Sequence, residues 1–311
     1  MNTLVNHRGR RRRASGCHTG AVSTAERRAA FADRIRSRTF TLAPGVYDMV
    51  SARIADAAGF DALYMTGYGV SASHLGLPDA GLSSFADMLD RARTIASGTE
   101  TPLIADADTG FGGLLNVHHT VQSYEAAGVA AIQLEDQEFP KKCGHAEGRR
   151  VVTAADMVRK VEVAVDARTS EDFLVIARTD ARSGLGLDEA IARGQAYAAA
   201  GADIVFVESP ESVDEFGEIA RAIDAPLVAN MVEGGFSPML DRQQLRDLGF
   251  TIGLFPVSGL AAAAAALTNT YTALHDQGAS PDTDGGLVPI TELHDLMGFA
   301  AIDAFDERWS E

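Results

Sequence analysis

Cysteine is nearly absent from this 311-residue chain: Cys17 sits near the amino terminus and Cys143 in the body. A disulfide framework is therefore excluded, and the chain is expected in a reducing cytoplasm. Long apolar runs are missing as well. The longest, Leu260 to Leu267, holds six consecutive alanines and falls short of the ~20 residues needed to cross a bilayer, so no membrane partner is expected. Cations are scarce: 27 Lys and Arg against 43 Asp and Glu give a formal charge of −16. Phosphate contacts need Lys or Arg, so nucleic acid and anionic lipid are poor general partners and a small molecule is expected instead. No linker rich in Pro, Gly or Ser divides the chain before about Gly278, which predicts one catalytic domain.

The cations that are present are unevenly placed. Arg8, Arg10, Arg11, Arg12 and Arg13 crowd a start with almost no apolar periodicity. Residues 1–22 are expected to be a disordered Arg-rich tail, since they lack the amphipathic repeat of a transit peptide and the apolar core of a secretory signal. Thr24 to Arg38 then reads as an amphipathic helix carrying Phe31 and Ile35 four apart.

Short β-branched apolar runs next alternate with Ala-rich helical patterns, the mark of parallel strands joined by helices. Eight strands are predicted: Thr41–Val46, Ala62–Met65, Leu103–Ala105, Ala131–Leu134, Phe173–Ala177, Ile204–Val207, Leu227–Ala229 and Ile252–Phe255. Gly59, Gly128 and Gly201 close the helices before three of them. Eight such strands predict an α/β fold, a (β/α)8 TIM-type barrel over residues 23–277 with an N-terminal helix. Gly278 to Gly286 reads as a hinge, and residues 278–311 as a C-terminal helical extension. Its segment Pro289 to Trp309 is read as one helical region, and its apolar Leu293, Leu296, Met297, Phe299, Ile302 and Phe305 call for a partner surface on a neighbouring subunit.

In such barrels chemistry gathers at the C-terminal strand ends. The residues there are Asp48, Thr66-Gly67-Tyr68-Gly69, Asp106 and Asp108, Glu135 and Asp136, Arg178-Thr179-Asp180, Glu208, Asn230, and Pro256 with Ser258. An acid-rich ring with one arginine suits a hard divalent cation, Mg²⁺ or Mn²⁺, that in turn holds an oxygen-rich anion. Asp106-Ala107-Asp108 can face a cation from a strand end. By itself that pattern also describes a turn with capping acids. Gly110-Phe111-Gly112-Gly113 follows without the Gly-Lys-Ser/Thr of a phosphate-binding loop, and is read as freedom for a loop to close.

Pro140-Lys141-Lys142-Cys143-Gly144-His145 places a cysteine between two lysines and a histidine. That electropositive setting is expected to lower the thiol pKa and ready it for proton transfer or attack. A Cys-x-His pair without further Cys or His nearby makes a poor zinc site. Composition alone leaves a basic surface loop as the plain alternative.

With this loop, Gly76-Leu77-Pro78-Asp79, Asp106 to Gly112, Glu135-Asp136-Gln137 and Ala177 to Ala181, the chain from about Thr39 to Trp309 resembles the isocitrate lyase/phosphoenolpyruvate mutase superfamily. Within it the Lys-Lys-Cys-Gly-His loop marks the lyases, so the resemblance implies a Mg²⁺-dependent carbon–carbon lyase. It implies that Asp106 and Asp108 serve the metal with Asp79 and Glu135 in its outer shell. Substrate is expected at Tyr64, Thr66, Gly67, Tyr68, Cys143, Gly144, Arg178, Glu208 and Asn230. The implied reaction is a retro-aldol-like cleavage in which Cys143 protonates the departing enediolate, while Lys141, His145 and Arg178 stabilise its charge and Glu208 assists.

Methylisocitrate lyases hold a third carboxylate with arginines where this chain has Ala261 and roughly Ile290, and oxaloacetate-hydrolysing members carry a serine where it has Pro256. The likeness in Thr66-Gly67-Tyr68 and Asn230 to Gly235 is to members acting on 2-alkylmalates and 2,3-dimethylmalate. The expected products are a 2-oxo acid such as pyruvate plus a carboxylate. Methylisocitrate, a tricarboxylate giving pyruvate and succinate, is the alternative substrate, and phosphonopyruvate or carboxyphosphonoenolpyruvate mutase chemistry a more distant one. The family's habit of exchanging the terminal helix between subunits implies a homodimer or homotetramer.

Overall fold

The computed structural model describes residues 22–281 and 286–310. The expected tail, Cys17 and part of the hinge lie outside the described residues. Eight parallel strands close on themselves in sequence order: β1 (Thr41–Val46), β2 (Leu63–Met65), β3 (Leu103–Asp106), β4 (Ala131–Glu135), β5 (Leu174–Thr179), β6 (Ile204–Val207), β7 (Leu227–Asn230) and β8 (Ile252–Phe255). β1 completes the ring against β8, with Thr41 opposite Ile252 and Pro44 opposite Phe255. The eight predicted strands are all present, with ends shifted by at most two residues.

The strands lack strict alternation because nearly every residue is buried, one side facing the barrel interior and the other the helices. Inside, Tyr64, Ile104, Ile176, Phe206, Val228 and Leu254 fill the lumen. Phe31, Ala32 and Ile35 belong to that same cluster, so the helix Thr24–Arg36 stoppers the N-terminal end of the barrel. Each of its two large apolar side chains contributes about 1.5–3 kcal/mol by burial. A capping box at Ser23 and Glu26 starts this helix, and it ends two residues before the sequence reading placed it.

The terminal region is helical, as expected. It is two helices, Ile290–Met297 and Phe299–Trp309, broken at Gly298, which takes a left-handed φ of 86°. Phe299, Ile302, Phe305 and Trp309 remain 45–66% exposed, as the unpartnered apolar face predicts. No helix among the described residues is long and apolar enough to cross a membrane.

Candidate active site

The strand ends and the loops above them enclose a cavity of about 760 Å³. Tyr64, Thr66, Tyr68, Asp79, Asp106, Cys143, Gly144, His145, Arg178, Glu208 and Asn230 all reach it, so most of the residues expected at the site converge from five strands and one loop. Several strand-end acids do not. Asp48 is spent as the N-cap of helix Met49–Ala58, accepting from the Ser51 amide at 2.8 Å. Asp136 points into the barrel wall, where Thr179, Tyr197 and Arg193 donate to it at 2.7, 2.7 and 3.0 Å. Asp180 is fully occupied by arginines, as described below. The acid ring is thus smaller than the strand-end rule implied.

Asp106 is oriented by backbone. Its Oδ1 accepts from the Asp108 amide at 3.0 Å and its Oδ2 from the Gly67 amide at 3.2 Å. A Cβ at position 67 would lie 2.5 Å from that Oδ2, so glycine there lets β2's loop close onto the acid. Asp108 holds a left-handed φ of 48°. The glycines that follow are conformational rather than merely loose: Gly110 and Gly112 have φ of 86° and 147°, angles that side chains rarely adopt.

Lys141 inserts among these acids instead of lining the cavity. Its ammonium pairs with Asp79 and lies 2.7 Å from Asp108. Burial opposes its charge, but the carboxylates of Asp108, Asp79, Asp106 and Glu135 together raise its pKa well above the ordinary lysine value. One ammonium does not balance this cluster. Asp108 is pushed up to about 7, first by burial and then by Asp106 and Asp79 working against Lys141, and burial likewise raises Glu135, whose Oε1 is buried without a hydrogen-bond partner. Excess negative charge on hard oxygens in a buried pocket fits a divalent cation. Among the described residues no three acidic, His or Cys side chains form a ready-made cage. Mg²⁺ does not require one, because it keeps several waters and takes one or two carboxylates.

The Lys-Lys-Cys-Gly-His loop is clamped at Lys142, whose amide donates to the Gln137 side chain at 2.9 Å and whose carbonyl accepts from it at 2.8 Å. The Cys143 amide donates to the Asp79 carbonyl at 3.0 Å. A Cβ on Gly144 would collide with the Arg178 guanidinium and the Glu208 carboxylate, which explains glycine there. The thiol behaves opposite to its expectation. Burial, with Asp79 and Glu208 nearby, raises the Cys143 pKa despite a hydrogen bond from the His145 backbone and the Arg178 charge. Lys141 is turned away into its acid cluster, and Lys142 Nζ donates to the Glu147 carbonyl, so the flanking lysines do not create the field that sequence proximity implied.

Arg178 lies over the Phe206 ring at 5.0 Å. Its guanidinium is held by Asp180 at 2.9 and 2.8 Å and approaches Glu208 at 3.3 Å and Glu135 at 3.5 Å. Glu208 is fully buried and also accepts from Asn230 Nδ2 at 3.0 Å and from the Ser209 amide at 2.9 Å. Arg149, Gln133 and Ser209 escaped the sequence reading. Arg149 meets Asp180 at 2.5 Å, Gln133 bridges the Tyr64 hydroxyl and Asp106 at 3.0 and 3.4 Å, and Ser209 Oγ donates to the Gly144 carbonyl at 3.1 Å. None falls in a strand-end motif. Gln133 could have been flagged as an amide inside an otherwise apolar strand.

A family model described as phosphoenolpyruvate phosphomutase matches residues 31–275. The chain belongs to the phosphoenolpyruvate mutase/isocitrate lyase superfamily. The 2,3-dimethylmalate lyase of Eubacterium barkeri is 46% identical over 276 residues, which cover 89% of this chain and 96% of that protein. The 2-methylisocitrate lyase of Aeropyrum pernix is 42% identical over 265 residues, 85% of each. In three dimensions the structure of oxaloacetate acetylhydrolase with the inhibitor 3,3-difluorooxalacetate matches with a TM-score of 0.86 at 38% identity, covering 90% of this chain and 96% of that one. The protein is a carbon–carbon lyase of this superfamily, acting on small carboxylates.

Proposed function

We propose that this lyase cleaves a 2-hydroxy dicarboxylate of the 2-alkylmalate or 2,3-dimethylmalate type, with Mg²⁺ at Asp106 and Asp108, to a 2-oxo acid such as pyruvate plus a simple carboxylate. The observation that carries the substrate choice is the apolar share of the cavity lining. Val232, Pro256, Val257, Leu260, Ala261 and Ala264 make it up, with no cation between them among the described residues. A third carboxylate against it would gain no counter-charge, whereas an alkyl branch would gain ~0.8 kcal/mol per buried CH₂.

Asp106 and Asp108 would hold the cation, which would supply positive charge against the negative charge of the bound substrate. Asp79 and Glu135 would serve its outer shell, Glu135 with an Oε1 that has no hydrogen-bond partner among the described residues. The chain's own groups carry the rest. Thr66, Gly67 and Tyr68 receive a substrate carboxylate at the loop after β2. Once a base has taken the 2-hydroxyl proton, that oxygen becomes the 2-oxo group as the carbon–carbon bond breaks; the bond's electron pair passes to the departing fragment as an enediolate, and the raised pKa of Cys143 keeps its proton on sulfur until that carbon takes it. A protonated, half-buried thiol is suited to act as the acid rather than as a nucleophile. The exposed faces of the terminal helices support a homodimer or homotetramer.

The protein with Mg²⁺ is to be given 2,3-dimethylmalate, methylisocitrate and phosphonopyruvate in separate incubations, and 2-oxo acid measured. Release from dimethylmalate in clear excess over methylisocitrate is expected. Equal or faster release from methylisocitrate would overturn the substrate reading.

A further inference from the structure

His145 is bonded from a loop that none of the strand-end motifs includes. The segment after β7 turns back over the Lys141–His145 loop, and the Phe236 amide donates to His145 Nδ1 at 3.2 Å. The Phe236 ring stacks on the imidazole with centroids 5.8 Å apart and planes 27° from parallel. Position 235 has no room for a side chain: a Cβ there would lie 2.5 Å from His145 Nδ1. Gly235 has no left-handed φ, so close approach, not backbone conformation, demands glycine.

An imidazole nitrogen that accepts a backbone hydrogen bond carries no proton, and in a neutral ring the proton then sits on the other nitrogen. Here the other nitrogen, Nε2, is buried, without a hydrogen-bond partner among the described residues, and 3.5 Å from Glu208 Oε1. We propose that the Gly235-Phe236 peptide is a positioning element that fixes His145 as the Nε2–H tautomer, so that the ring presents one hydrogen-bond donor to Glu208 and the cavity. Burial, the largest influence on this ring, lowers the His145 pKa although Glu208 opposes it, in keeping with a neutral imidazole. His145 then works as an oriented neutral donor, not as the cation the sequence implied. Its contact with the loop after β7 also couples that loop to the cysteine two residues before it. The proposal rests on His145 serving the lyase site, but the tautomer itself does not depend on which substrate is used.

Histidine side-chain ¹H–¹⁵N correlation spectra of the full-length protein, with the His145 signals identified by their loss in His145→Asn, read the tautomer directly. The Nε2–H form is expected in the wild type, and in Phe236→Ala, which keeps the amide and loses the stacking. Phe236→Pro, which removes the donor, is expected to give a mixed or Nδ1–H form and a kcat at least tenfold lower with KM within about threefold. Gly235→Ala, which displaces the ring while keeping every amide, is expected to shift the same signals and serves if the proline variant does not fold. A wild-type Nδ1–H or doubly protonated ring would overturn the proposal, as would an unaltered tautomer in both Phe236→Pro and Gly235→Ala. Absence of dimethylmalate turnover with the tautomer as expected would count against the substrate reading alone.

Discussion

The Lys141 ammonium lies 2.7 Å from the Asp108 carboxylate and does not line the cavity that Cys143 reaches, although the two loop residues are only two apart in sequence. Lys141 therefore acts on the carboxylates. Replacing it by Met leaves Asp79, Asp108 and Glu135 buried with less counter-charge, a loss of about 3–5 kcal/mol. The expected outcome is a melting temperature many degrees lower that added Mg²⁺ raises more in the variant than in the wild type, read by thermal denaturation with and without the ion.

Removal of the metal is expected to abolish turnover and to be reversed by Mg²⁺ or Mn²⁺. Asp106→Ala removes the acid that two backbone amides orient, so activity should fall by at least about 10³, the scale of lost metal charge stabilisation. Titration of activity against Mg²⁺ checks this: a variant that still responds as the wild type does would refute the assignment.

Cys143→Ser should lower kcat by about 10²–10⁴, the usual contribution of a positioned general acid, while calorimetry still detects Mg²⁺-dependent pyruvate binding. The pH profile carries the sign of the shift. A thiol raised by burial stays protonated through neutral pH, so the acid remains competent there and kcat declines only as pH rises through the raised value, above the ordinary cysteine range. A decline beginning near neutrality would contradict a protonated donor.

Ala261→Arg introduces a cation on the apolar wall of the cavity. A charge-assisted hydrogen bond is worth about 1.5–3 kcal/mol, so the ratio of kcat/KM for methylisocitrate over dimethylmalate should rise at least tenfold. Parallel steady-state assays on the two substrates measure it, and an unchanged ratio would show that this wall does not choose between them.

Phe305, 63% exposed on the last helix, is expected to be covered in an oligomer. Phe305→Glu should move the protein toward smaller species in sedimentation velocity with little change in helix content; a wild type that sediments as a monomer at all concentrations would remove the premise.

The barrel was legible in the sequence because its signals are local. Continuously apolar strands, Ala-rich amphipathic helices and glycines at helix ends recur in a fixed alternation, and each can be read within ten or twenty residues. The place of the candidate site was legible for the same reason: Asp106-Ala107-Asp108, Lys141 to His145 and Arg178-Thr179-Asp180 are short blocks, and the rule that chemistry sits at strand ends brought them together without coordinates. The direction in which each side chain points was not legible. Whether Asp136 meets the cavity or the wall, whether Lys141 serves the substrate or the acids, and whether Cys143 is raised or lowered depend on which groups from distant strands share the same buried volume. Burial and Coulomb interactions act through space, not along the chain. The Phe236 amide is 91 residues from His145, and only the closed barrel sets the two within a hydrogen bond.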